Sequence, residues 1–88
     1  MGKYKLAFKK SVAKDLRALP AKDVHRILKC FEQLAENPRL PGCEKLSGRE
    51  RYRLRQGIYR IIYEIQDDVQ KVVVVKIGHR RDVYRINQ

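Results

Sequence analysis

Residues 51–65 read Arg51-Tyr52-Arg53-Leu54-Arg55-Gln56-Gly57-Ile58-Tyr59-Arg60-Ile61-Ile62-Tyr63-Glu64-Ile65. The pattern has period two, which sends alternate side chains to opposite faces of a strand. Gln56-Gly57 is a plausible two-residue turn, with Gly57 available for positive φ. In that register Arg55 opposes Ile58, Arg53 opposes Arg60 and Arg51 opposes Ile62. On the other face Leu54 opposes Tyr59 and Tyr52 opposes Ile61. One face is apolar and fit to meet a helical layer; the other carries Arg51, Arg53, Arg55 and Arg60.

Working outward, Asp67-Asp68 turns the chain, and Lys71 to Ile77 contains Val72-Val73-Val74-Val75, a strand apolar on both faces and therefore central. Gly78-His79-Arg80-Arg81-Asp82-Val83-Tyr84 follows. Toward the N-terminus, residues 38–50 hold Pro38, Pro41, Gly42 and Gly48 and read as a loop. Before it, Val24, Ile27, Leu28, Phe31, Leu34 and Ala35 recur at helical spacing until Asn37-Pro38 stops them. Cys30 fits the same apolar face, and His25 lies off it, at the surface. Ser11 is placed to cap an earlier helix carrying Val12, Leu16 and Leu19, which Pro20 separates from the second. Tyr4, Leu6 and Phe8 alternate as a first strand. The expected fold is α+β: an N-terminal strand, a helical hairpin, then a three-stranded antiparallel meander completing a small sheet, all in one domain over residues 1–88.

The 88 residues include 21 lysines and arginines against 10 acids, a net charge of +11. At 43% apolar composition the chain has enough hydrophobic material for a core, which excludes wholesale disorder. An excess of this size favours an anionic partner such as nucleic acid. No apolar run approaches the roughly 18 residues of a membrane span, and the N-terminus lacks a secretory leader, so the chain reads as soluble and cytoplasmic. Cys30, Cys43, His25 and His79 do not form a closely spaced ligand set, so neither metal nor other cofactor is expected. Both cysteines read as reduced thiols.

Placing arginines across a ladder opposes folding by up to ~1 kcal/mol. The arrangement makes sense where an anion sits between them. Residues i and i+2 on a strand lie about 7 Å apart, which suits the backbone of an extended single strand of RNA or DNA. The alternative is a basic face that merely keeps an edge soluble.

Several segments in order resemble the RelE/ParE superfamily of type II toxins: Phe8 to Pro20, Asn37-Pro38, Lys45-Leu46-Ser47-Gly48, Tyr52 to Arg55, Tyr59 to Ile65, the valine strand, Gly78-His79-Arg80 and Asp82-Val83-Tyr84. The resemblance implies a toxin neutralised by a cognate antitoxin. In RelE-like members it implies cleavage of mRNA in the ribosomal A site; in ParE-like members, poisoning of DNA gyrase without nuclease activity. Carried over by motif, Arg53 and Arg55 take the two basic strand positions. Arg60 matches the arginine of the next strand, Arg80 the arginine after the glycine, and Tyr84 the terminal tyrosine. Arg51, Arg81 and Lys45 are further RNA-binding candidates. The basic and tyrosine set favours the RelE branch.

The reaction so implied is metal-independent: a 2′-OH attacks the adjacent phosphate. Arg60 and Arg80 would clamp the developing charge, and Tyr84 would stack on a base or assist proton transfer. Some relatives carry lysines where this chain has Arg53 and Arg55. Arginine, with a pKa above about 12, is a poor general base. His79 titrates near neutrality, and flanking Arg80 and Arg81 favour its neutral form, so it is the candidate base. Glu64, of the same parity as Arg60, is a lesser candidate or Arg60's ion-pair partner. A plain nucleic-acid-binding module remains the third function.

Overall fold

The computed structural model describes residues 3–46 and 51–79. Strand β1 (Lys5–Phe8) leads into helices α1 (Lys10–Arg17) and α2 (Ala21–Glu36). A two-residue strand β2 (Glu44–Lys45) then precedes β3 (Arg51–Gln56), β4 (Tyr59–Gln66) and β5 (Lys71–His79). The strands form one sheet in the order β1-β5-β4-β3-β2. The last three strands are the expected antiparallel meander, and β1 joins it parallel to β5. The valine strand is interior as its double-sided apolarity requires, with Val72 and Val74 fully buried and Val73 nearly so.

Both helices lie against one face of this sheet. Val12 of α1 and Ile27, Cys30, Phe31 and Leu34 of α2 pack with Tyr52, Leu54, Ile61, Tyr63, Ile65, Val72, Val74 and Ile77. Each large aliphatic side chain so buried contributes about 1.5–3 kcal/mol. The two tyrosine hydroxyls at the helix–sheet boundary are satisfied: Tyr63 donates to the Pro38 carbonyl at 2.6 Å, and Tyr59 donates to Asp23 Oδ2 at 2.8 Å. Asp15 ties α1 to β5, accepting from Lys76 Nζ at 2.8 Å and from the Ile77 N–H at 3.2 Å. Leu28, on the expected apolar stripe, is exposed, while Cys30 is buried in the core.

Four local expectations are corrected. Ser11 does not cap α1. The helix starts at Lys10 because the Lys9 N–H still belongs to the sheet, donating to the Val74 carbonyl at 3.0 Å. Ser11 sits in the first turn with its hydroxyl toward the Val75 carbonyl at 3.4 Å. The loop over 38–50 is not all loop, since Glu44 and Lys45 pair with Arg53 and Tyr52.

The β3–β4 turn is Gly57-Ile58 rather than Gln56-Gly57. Gly57 holds φ at +61° as the first central residue of the turn, the position where a II′ hairpin places glycine. Arg55 therefore opposes Arg60, Arg53 opposes Ile62, and Arg51 opposes Glu64. The expected and observed registers differ by two residues, so every side chain that stays in the strands keeps its expected face. Finally, Glu64 does not partner Arg60. Its place across from Arg51 brings Oε2 to 2.8 Å from Arg51 Nε.

Candidate functional site

The face of the β3–β4 hairpin turned away from the helices carries the arginines. Arg53, Arg55 and Arg60 line one cleft of about 270 Å³, closed by Pro41, Gly42, Glu44 and Leu54. The hairpin register sets Arg55 directly across from Arg60, and Arg53 lies two residues along from Arg55 on the same strand. The loop wall depends on Gly42, whose φ of +93° is a left-handed conformation that side-chain-bearing residues rarely adopt. That turn lets the chain double back and lay Glu44 beside Arg53.

The arginines are held to different degrees. Arg60, on the interior strand β4, is only 4% exposed, unusual for a cation. The Arg53 side chain is 17% exposed and the Glu44 side chain 58%. Arg53 Nη2 donates to Glu44 Oε2 at 2.5 Å. This hydrogen bond, then the positive fields of Arg53, Arg55 and Arg60, hold the Glu44 carboxyl below the usual carboxylate range. A carboxylate so held is a weak proton acceptor at neutral pH. Three guanidiniums against one carboxylate leave the cleft cationic, and forked guanidinium donors match phosphate oxygens.

Of the residues expected at the site, Arg53, Arg55 and Arg60 are brought together. Arg51 shares their face but is engaged by Glu64 outside the cleft. Lys45 is in register with Tyr52, a residue of the helix-facing side, and does not line the cleft. His79 is the last residue of β5, its backbone in register with Tyr59, one place beyond the pairing of Gly78 with Arg60. Arg80, Arg81 and Tyr84 lie outside the described residues. Glu44 is the residue that sequence reasoning missed. Its signal was a Pro41-Gly42 turn followed by an acid, facing a strand of alternating arginines.

A model of the ParE toxin of type II toxin–antitoxin systems matches residues 6–84. The chain belongs to the RelE/ParE superfamily of type II toxins. This toxin is 30% identical over 86 residues to toxin RelG of Mycobacterium tuberculosis, covering 93% of this chain and 97% of RelG. It is 31% identical over 86 residues to toxin RelE of the same organism, covering 96% of this chain and 89% of that one. A mutant of Escherichia coli toxin RelE in the free state superposes with a TM-score of 0.77 at 29% identity, over 97% of this chain and 93% of RelE. The archaeal RelE–RelB complex from Pyrococcus horikoshii gives 0.77 at 27%, over 89% and 96%. The toxin thus has the RelE fold, and its arginine cleft is built on the hairpin at the centre of that fold.

Proposed function

We propose that this toxin is a ribosome-dependent mRNA endoribonuclease that inhibits translation, acting without a metal. The observation that carries the reading is the convergence of Arg53, Arg55 and Arg60 on a single cleft. The RelE names of its relatives support the same branch. The scissile phosphate lies among the guanidiniums. The 2′-OH oxygen attacks phosphorus, forming the P–O2′ bond of a 2′,3′-cyclic phosphate as the P–O5′ bond breaks. Arg60, with Arg80, stabilises the charge gathering on the phosphoryl oxygens. Arg53 and Arg55 hold and orient the flanking backbone. His79 accepts the 2′-OH proton, a proton is returned to the 5′ oxygen, and Tyr84 stacks on a neighbouring base or assists that return. Arg81 adds charge along the strand, with Arg51 and Lys45 as lesser contacts.

The cytoplasmic partners of this reading are the ribosome with mRNA in the A site and a cognate antitoxin. RelE is found with RelB in solved complexes from Pyrococcus horikoshii and Escherichia coli. A protein that must silence this cleft has to be acidic where it covers the arginines, or has to displace part of the toxin. A second reading, gyrase inhibition, is favoured by the ParE description of the matching family model. Primer extension on mRNA from ribosomes incubated with the toxin, run beside a gyrase supercoiling assay, separates the two. Discrete cleavage within A-site codons supports the nuclease. Intact mRNA with arrested supercoiling establishes the gyrase reading instead.

A further inference from the structure

In the free toxin the cleft already holds an anion of its own. Glu44 stands on a two-residue strand at the outer edge of the sheet, directly across from Arg53, and its carboxylate takes a guanidinium N–H of Arg53. The two parts of this pair are anchored unequally. Arg53 and Arg60 belong to long interior strands and are largely buried, whereas the Glu44 side chain is mostly in solvent. Gly42, two residues before it, forms the left-handed turn of the same cleft wall. Arg53 and Arg60 are the better anchored part of the cleft, and the exposed carboxylate is the part free to swing away.

We infer that Glu44 is an internal stand-in for the substrate phosphate: it occupies the Arg53 fork until a phosphodiester displaces it. A carboxylate and a phosphodiester compete for the same donors and repel each other at contact distance. Binding is then an exchange of anions, in which the carboxylate moves to water as the nucleic-acid backbone enters. The exchange has two consequences. It keeps three crowded arginines partly compensated in the empty toxin, and it lowers affinity for any single anion that cannot engage Arg55 and Arg60 as well as Arg53. Glu44 is therefore a specificity residue that disfavours isolated phosphates relative to a continuous strand. The inference rests on the reading of the cleft as a phosphodiester site.

The test is binding of a fluorescent single-stranded DNA oligonucleotide, which lacks the 2′-OH and is not cleaved, to the full-length toxin over a range of salt concentrations. Glu44→Gln is expected to bind about three- to fivefold tighter at low salt. The dependence of log K on log salt should steepen by about 0.7, the increment for one more cation left free to replace a counterion on a single strand. The gain should vanish in the Arg53→Ala background, because the stand-in then has nothing to release. Unchanged or weaker binding by folded Glu44→Gln, with an unchanged salt slope, overturns the inference. If Arg53→Ala and Arg55→Ala leave binding of the wild-type glutamate protein unaltered, the cleft itself is not the strand-binding site, and the functional reading falls with the inference. If those variants weaken binding and Glu44→Gln does not strengthen it, only the stand-in role is lost.

Discussion

Arg55 stands directly across the β3–β4 ladder from Arg60, one pair in from the turn. Like charges placed directly opposite on a ladder repel, and in this protein one of the two residues, Arg60, is buried. The pair is a cost to folding that an anion in the cleft removes. Arg55→Thr, which keeps a good strand former at the exposed member of the pair, should stabilise the free toxin by a few tenths of a kcal/mol after solvent screening. The same variant should bind single-stranded nucleic acid more weakly. Denaturant melts and oligonucleotide titrations measured together check this, and a variant that is less stable as well as weaker binding would contradict it.

Arg60→Lys keeps the positive charge but loses the planar fork. If Arg60 holds the phosphoryl oxygens in the transition state, cleavage of ribosome-bound mRNA should fall about a hundredfold while strand binding changes little. Lysine also preserves most of the buried aliphatic stem, so the variant should fold. Circular dichroism together with a cleavage time course decides the matter. Equal losses in binding and in cleavage would assign Arg60 to ground-state binding alone.

The sequence reading located the arginine face because faces follow from parity. Arg53, Arg55 and Arg60 keep their side of the sheet whether the turn is Gln56-Gly57 or Gly57-Ile58. Individual partners were not legible, because they depend on the turn itself. Ile58, a β-branched residue that looks like the first of a strand, is instead the exposed second residue of the turn, and that displaced Glu64 from Arg60 to Arg51. Glu44 was hidden for another reason. A strand of two residues has no period of its own and exists only through its pairing with Arg53 and Tyr52. Ser11 was misplaced because the β1 hydrogen bond at Lys9, a tertiary contact, takes over the start of α1.

Asp67 offers a pH test of a contact remote from the cleft. It receives both guanidinium arms of Arg39, at 3.1 and 2.8 Å, and the Tyr4 hydroxyl at 2.8 Å. The hydrogen bonds from Arg39 and then Tyr4 hold its carboxyl below the usual carboxylate range, at about 2. A carboxyl depressed on folding contributes stability that is present above its unfolded pKa and is lost as pH falls through the folded one. The contribution should therefore be complete above about pH 4 and disappear toward pH 2. Asp67→Asn should be less stable than wild type at pH 6, and the difference should close on acidification across that window. Thermal melts in steps of half a pH unit measure it, and a gap that stays constant down to pH 2 would show that Asp67 does not act through its charge.

His79 and Arg80 make separable contributions in the proposed reaction. Arg80→Ala should abolish mRNA cleavage in a folded protein, since it removes half of the charge clamp around the phosphoryl oxygens. His79→Gln should leave that clamp in place and slow the chemistry by about 10²–10⁴-fold, the usual range for loss of a general base. It should also flatten the acid limb of the pH–rate profile, because the group that must be neutral to accept the 2′-OH proton is gone. The profile is the discriminating measurement, because a purely structural role for His79 would lower the rate at every pH by the same factor. A slower enzyme with an unchanged profile therefore excludes His79 as the base and leaves the proton with a group whose titration lies outside the range measured.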